Sequence, residues 1–370
     1  MGVVKLGDVA RESRLKWTKS KQDVPIVGLE HLIPDEIRFD AYDINTDNTF
    51  SKRFVKGQVL FGRRRAYQRK AAIAEFDGIC SGDITVIQAI ERKMVRELLP
   101  FIIQTPVFFD YANRGSAGSL SPRVKWEHLA DYEFELPPLE EQKILADKLW
   151  AAYRLKEAYK KLLVATDEMV KSQFIEMFGN CKSQGTLSSL CATFIDGDWI
   201  ESKDQSDNGI RLIQTGNVGF GFFKGREDKS RYITEETFKK LNCTEVVPGD
   251  ILISRLPDPI GRACIVPEGI GKAITAVDCT IVRLNATLLP EFLISFSKTA
   301  LYASQINKIK TGTTRLRVSR GNLGNVIIPI PPIESQHHFA AIAQQADKSK
   351  FELKQCIEHI DKVIKSLING

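Results

Sequence analysis

Apolar positions follow two kinds of pattern, and the two alternate along the chain. Short apolar runs bounded by Gly, Pro and Asp predict strands at Gln58–Gly62, Ile84–Ile87, Ile251–Ser254 and Cys279–Leu284. Turn sequences such as Glu75-Phe-Asp-Gly and Leu256-Pro-Asp-Pro separate them. Shorter helices are predicted at Arg96–Ala112 and Pro290–Asn307. After Pro137-Pro138 the period lengthens. Leu145, Leu149, Ala152, Leu155, Tyr159, Leu162, Thr166, Met169 and Val170 recur at helical spacing and lead on to Phe174 and Phe178. The prolines suit a first helical turn, Glu140 and Glu141 suit its positive end, and Gly179-Asn180 supplies a stop. No Pro or Gly interrupts residues 139–178, so one helix of roughly 60 Å is predicted there. After Pro331-Pro332 the same thing happens. Phe339, Ile342, Ala346, Ser349, Leu353, Cys356, Ile360, Val363 and Leu367 alternate steps of three and four, an a/d seam.

The recurrence is a duplication. Gly118-Ser-Leu-Ser-Pro-Arg-Val aligns with Gly312-Thr-Thr-Arg-Leu-Arg-Val at an offset of 194, and Pro137-Pro-Leu-Glu-Glu-Gln142 aligns with Pro331-Pro-Ile-Glu-Ser-Gln336 at the same offset. Eight identities fall in the 25 ungapped positions from 118 to 142. Lys56-Gly-Gln-Val-Leu-Phe-Gly-Arg63 resembles Pro248-Gly-Asp-Ile-Leu-Ile-Ser-Arg255 at an offset of 192, and Val24–Glu30 resembles Ile210–Gly216 at 186. Two globular parts, each followed by a long helix, are therefore expected. A helix this long cannot bury its whole seam on a domain of about 150 residues. Its simplest partner is the other long helix, in an antiparallel coiled coil with the globular parts at opposite ends about a pseudo-twofold axis. The expected class is α+β: two pseudo-symmetric mixed α/β domains separated by two long antiparallel helices. The expected divisions are 1–138, 139–180, 181–332 and 333–370.

Composition narrows the function. The 370 residues hold 52 Lys+Arg against 46 Asp+Glu, a net charge of +6, which suits a nucleic-acid binder without requiring one. Seven cysteines, with no C-x-x-C pair, fit a reducing cytoplasmic setting. The N-terminal stretch lacks the apolar run of a signal peptide and the Ser/Thr favouring myristoylation, and no stretch is apolar enough for a membrane span. There is no P-loop, no G-x-S-x-G, no Cys-His signature and no Asp/Asn-Pro-Pro-aromatic tetrapeptide. Gly216-Asn-Val-Gly-Phe-Gly-Phe-Phe lacks G-x-G-x-x-G spacing and is read as a turn. His337 and His338 are adjacent, so on a helix they diverge by about 100° and do not jointly suit a metal.

Charge concentrates in loops. Arg63, Arg64, Arg65, Tyr67, Arg69 and Lys70 follow a predicted strand; Arg255 and Arg262 hold the corresponding place in the second half. Arg114, Ser119 and Arg123 flank the first Gly-containing loop, and Thr313, Thr314, Arg315, Arg317 and Arg320 lie in the second. Lys and Arg neutralise phosphates, Arg also reaches guanine O6 and N7, and small hydroxyl residues let the backbone approach a phosphate. These sixteen residues are the candidate DNA contacts.

The two Pro-Pro-Leu/Ile-Glu-x-Gln boxes, each opening a long helix, and the Gly-x-x-x-x-Arg-Val loops before them resemble the specificity (S) subunits of Type I restriction-modification systems. The likeness covers almost the whole chain; Ser335 stands where the first box has Glu141. It implies that each globular part is a target-recognition domain for one half of a bipartite DNA site, with the helices as a ruler for the spacer. It also implies docking of two methyltransferase (M) and two restriction (R) subunits. S-adenosylmethionine, ATP and Mg then belong to those partners, with no cofactor, metal or catalytic residue in this chain. The alternatives are a DNA methyltransferase or nuclease with an unrecognised site, and a coiled-coil scaffold that does not bind DNA.

Overall fold

The computed structural model describes residues 2–118 and 120–369. The chain divides into two compact units, residues 1–160 with 355–370 and residues 161–354. In unit 1, strands β1 (Gly2–Lys5), β2 (Ala10–Glu12), β3 (Ile26–Val27), β4 (Lys52–Phe54), β5 (Val59–Gly62), β6 (Ala71–Ile73), β7 (Gly78–Cys80), β8 (Ile84–Ala89) and β9 (Glu133–Leu136) form three sheets. β1 pairs with β9; the order β2-β8-β5-β6 makes an antiparallel four-stranded sheet; β3-β7-β4 makes a three-stranded one in which β3 and β7 run parallel. In unit 2, β10 (Gln184–Thr186), β11 (Cys191–Asp196), β12 (Ile210–Ile213), β13 (Tyr232–Ile233), β14 (Ile251–Ser254), β15 (Ala263–Ile265), β16 (Ala273–Thr275), β17 (Cys279–Leu284) and β18 (Ile327–Pro329) do the same. β10 pairs with β18, and β11-β17-β14-β15 repeats the order of the first four-stranded sheet.

The duplication extends to register. Val59 pairs with Ile73 and Ile87, and its counterpart Ile251 pairs with Ile265 and Val282. Ile26 lies opposite Ile79 in a parallel pair, as Leu212 lies opposite Ile274. The difference is the third strand of the small sheet: β4 pairs with β7 in unit 1, whereas β13 pairs with β12 in unit 2.

The two shorter predicted helices each divide in two: Leu99–Ile103 with Pro106–Arg114, and Pro290–Ser297 with Ala300–Ile309. A threonine restarts each one. Thr105 Oγ1 accepts from Phe108 N, and Thr299 Oγ1 accepts from Tyr302 N, so both side chains satisfy an otherwise orphaned donor.

The long helices are uninterrupted over Leu139–Phe178 and Ile333–Asn369. Within unit 2 they run antiparallel. Asp167 pairs with Lys350 at 2.8 Å, and further along the first helix Phe174 and Phe178 meet Phe339 edge to face, with ring centroids 5.2 and 5.6 Å apart. Within unit 1, Lys156 meets Asp361 at 2.7 Å, and Ile364, Leu367 and Ile368 pack on the core. The seam differs from the sequence expectation. Ala146, Leu149, Trp150 and Tyr153 are buried against the domain's own core, while Leu155, Leu162 and Met169 stay about half exposed. Heptad spacing identifies an apolar face but not what covers it; here the first four turns of the helix are claimed by the domain in front of it.

The glutamine of each Pro-Pro box fixes that junction. Gln142 is buried; its Oε1 accepts from Val95 N (2.8 Å), and its Nε2 donates to Pro137 O (2.8 Å) and Lys93 O (3.3 Å). Gln336 repeats the arrangement, accepting from Leu289 N (2.8 Å) and donating to Pro331 O (2.9 Å) and Thr287 O (3.0 Å). A side-chain amide has a donor and an acceptor in fixed relation, so it can close two backbone carbonyls and one N–H at once.

Candidate nucleic-acid interface

In each unit the two separate loop regions singled out by charge meet at the same strand ends. In unit 1, Arg63 N donates to Asp83 O, Val124 N donates to Arg63 O, and Arg65 N donates to Pro122 O at 2.8 Å. In unit 2, Arg255 N donates to Asp278 O, Val318 N donates to Arg255 O, and Lys310 Nζ pairs with Asp258. Both Gly-containing loops close through the same two-way backbone bridge, Ala117 with Arg123 and Thr311 with Arg317. Gly118 (φ +115°) and Gly312 (φ +104°) sit where a side chain is strained, which is why glycine occupies both.

The candidate residues sort by what their side chains already hold. Thr313, Thr314, Arg315, Arg317 and Arg320 are exposed, and among the described residues the three guanidinium groups have no ion-pair or hydrogen-bond partner. In unit 1, the Arg63 and Arg65 side chains are also unpaired and half buried, and Tyr67 is exposed. Arg114 is exposed and among the described residues bonds only to Asp110 O one turn back. Ser119 lies outside the described residues.

Arg64 and Arg123 share one carboxylate. Arg123 Nε donates to Asp83 Oδ1 at 2.7 Å, and Arg64 reaches Asp83 Oδ2 at 3.3 Å and Ser121 Oγ at 2.9 Å. Asp83 therefore binds the two loops into one surface, a role that nothing in its sequence context signalled. The hydrogen bond from Arg123, followed by the charges of Arg123 and Arg64, holds the Asp83 carboxyl below the usual carboxylate range. A depressed folded pKa means that this bracing is complete above about pH 4 and is lost as pH falls through the lower folded value. Asp83→Asn is expected to accelerate exchange at the Ala117 and Arg123 amides at pH 7, where acidification to pH 5 does not; hydrogen exchange with mass spectrometry reads both.

Four candidates are committed to groups of their own unit, against the sequence expectation. Lys70 and Arg262 are structural equivalents. Lys70 Nζ donates to Leu29 O (2.7 Å), and Arg262 Nη2 donates to Thr215 O (3.3 Å), each the first residue of a matching 3₁₀ turn. Arg262 is buried and also serves Val218 O, Pro257 O, Pro259 O and Ser254 Oγ. Arg255 is spent on Asp196, Val318 O and Val277 O. Arg69 pairs with Asp35 at 2.6 Å and lies over the Phe109 ring. A guanidinium that closes a ring of carbonyls and one that faces water have the same spacing in sequence, so charge alone could not separate them.

One exposed aromatic escaped the sequence reading. Trp199 is 71% exposed. It follows Asp198, whose backbone exchanges hydrogen bonds with Thr275 O and Val277 N beside the Arg255 guanidinium. An isolated Trp between two loops carries no periodic signal.

This duplicated fold with paired loop faces has counterparts. The chain belongs to the Type I restriction modification DNA specificity domain family, whose model matches residues 1–163 and 185–362. It is 32% identical over 89 residues to the Type I restriction enzyme EcoDI specificity subunit of Escherichia coli, across 24% of this chain and 19% of that protein. It is 21% identical over 299 residues to the EcoBI specificity subunit of the same organism, across 71% of this chain and 62% of that protein. The matched segments thus span less than two thirds of both relatives. A chain from a solved structure concerned with complex assembly and conformational transition of the type I R-M system shares the fold, with a TM-score of 0.60 at 18% identity over 100% of this chain and 96% of that one.

Proposed function

We propose that this chain reads DNA for a Type I restriction-modification complex and leaves catalysis to its partners. Each unit holds one half of a bipartite duplex site. The contacts in unit 1 are Arg63, Arg65, Tyr67, Arg114 and Ser119, with Arg64 and Arg123 positioned by Asp83. Those in unit 2 are Thr313, Thr314, Arg315, Arg317 and Arg320. The observation that carries the reading is the recurrence of one construction: two loops sewn together at equivalent strand ends, each time presenting arginines that have no partner among the described residues. Unpaired guanidiniums on a shared surface supply phosphate neutralisation and bidentate base contacts.

The partners are two M and two R subunits, which bring S-adenosylmethionine, ATP and Mg. Apolar residues on the long helices, among them Leu155, Leu162, Val164, Met169 and Phe351, remain at the surface and suit such docking. No described helix is long and apolar enough to cross a membrane, and the free cysteines suit a cytoplasmic site of action. The test is a fluorescence-polarisation titration of duplex DNA with the chain and its M subunits. Binding that weakens steeply with salt supports the reading; none at 50 mM salt leaves a scaffold. Methyl transfer by the chain alone would make it an enzyme.

A further inference from the structure

The strand ends that carry the loop face of unit 2 continue into its second sheet. The Ile213 carbonyl at the end of β12 accepts from Ala276 N and Thr275 Oγ1, and Thr275 O accepts from Asp198 N beside Trp199. Gln214 follows, and the Thr215 carbonyl is held by the Arg262 guanidinium. Immediately beyond lies a polar hollow of about 390 Å³, lined by Gln214, Asn217, Arg226, Lys229, Ser230 and Arg231.

Three cationic side chains share this hollow. Among the described residues the Arg226 and Lys229 side chains have no ion-pair or hydrogen-bond partner, and Arg231 makes one hydrogen bond, to Gln205 at 3.3 Å. The nearest acid in sequence, Glu227, is committed to Arg211 at 3.0 Å, and Asp228 does not line the hollow. Arg226 stands at φ +50°, an uncommon conformation for a side-chain-bearing residue, and its guanidinium lies over Gly216. A Cβ at Gly216 would run into Arg226 Nη1, so an alanine there pushes the end of the arginine side chain aside.

We propose that this hollow is a phosphate site for the DNA backbone, gripped by Arg226, Lys229 and Arg231 next to the loop face of unit 2. The proposal rests on the DNA-reading function and adds a contact that fixes position without reading a base. Its signature is electrostatic. Each backbone phosphate neutralised adds about 0.9 to the steepness with which log K falls against log salt, whatever the sequence.

The test is fluorescence polarisation of the full chain with two 30-base-pair duplexes of unrelated sequence, from 50 to 300 mM salt. Arg226→Ala with Lys229→Ala is expected to lower the slope by about 1 and to weaken both duplexes by the same factor. Gly216→Ala keeps every charge but displaces the guanidinium, and is expected to lose part of the same slope. Lys239→Ala with Lys240→Ala removes two exposed charges beyond the opposite end of β12, and is expected to leave the slope unchanged. An unaltered slope in the Arg226/Lys229 variant overturns the proposal, as does a loss confined to one duplex or an equal loss in the Lys239/Lys240 variant. A wild-type chain whose binding to either duplex is absent or insensitive to salt overturns the DNA-reading function itself, a separate failure.

Discussion

Replacing Arg315, Arg317 and Arg320 together by alanine is expected to lower the affinity for duplex DNA at least tenfold, since each arginine that reads a base edge contributes about 1–3 kcal/mol. For those that touch phosphate instead, the slope of log K against log salt is expected to fall by about 1 each. The three side chains are exposed, so their removal takes nothing from the core. Arg262→Ala is the informative contrast. Its guanidinium is buried among carbonyls, so truncation is expected to destabilise unit 2 by leaving those acceptors unpaired. Affinity measured on the folded fraction should change far less than in the triple variant. Titration and urea unfolding, performed on the same preparations, separate the two effects.

The second large effect is expected at the box glutamines. Gln336→Leu leaves the Leu289 N–H without its acceptor and deprives the Thr287 and Pro331 carbonyls of their donor; the Pro331 bond is buried and the other two are part-buried. A buried polar group left unpaired costs about 1–3 kcal/mol and a part-buried one less, so a loss of about 2–4 kcal/mol is expected. Gln142→Leu is expected to do the same at Val95, Lys93 and Pro137. The local reading is hydrogen exchange: the Leu289 amide in one variant and the Val95 amide in the other should lose protection. Glutamate at either position keeps the acceptor and loses the amide donor, so it should retain protection of the N–H while still destabilising the junction.

Much of this architecture is written in local pattern. The strands near Val59, Ile84, Ile251 and Cys279, the 194-residue offset and the uninterrupted helix after Pro138 each depend on short-range periodicity or on breakers, which a chain shows directly. What periodicity could not show was the occupant of an apolar face. Leu149 and Leu155 belong to one helical pattern, yet the first is buried by the domain's core and the second is left half exposed. The site divides along the same line. The Gly-containing loops were legible because their glycines and arginines recur at a fixed offset. The inward commitments of Lys70, Arg255 and Arg262 were not, because the carbonyls they close come from segments up to 63 residues away in the chain. Asp83 and Trp199 also depend on segments brought together from distant positions, whereas the Arg226 hollow is lined from residues 214–231 alone and was missed because no periodic pattern marks a cluster of cations in a loop.

The measurement that bears most directly on two separate reading faces is methylome sequencing of cells that carry the partner M subunits. Wild-type chain, the Arg315/Arg317/Arg320 triple variant and an Arg63/Arg65 double variant would be expressed in turn. The predicted result is a bipartite methylated motif that depends on the chain. It should lose or relax one half with the first variant and the other half with the second. A single undivided motif, methylation that persists without the chain, or both variants eroding the same bases would contradict the account.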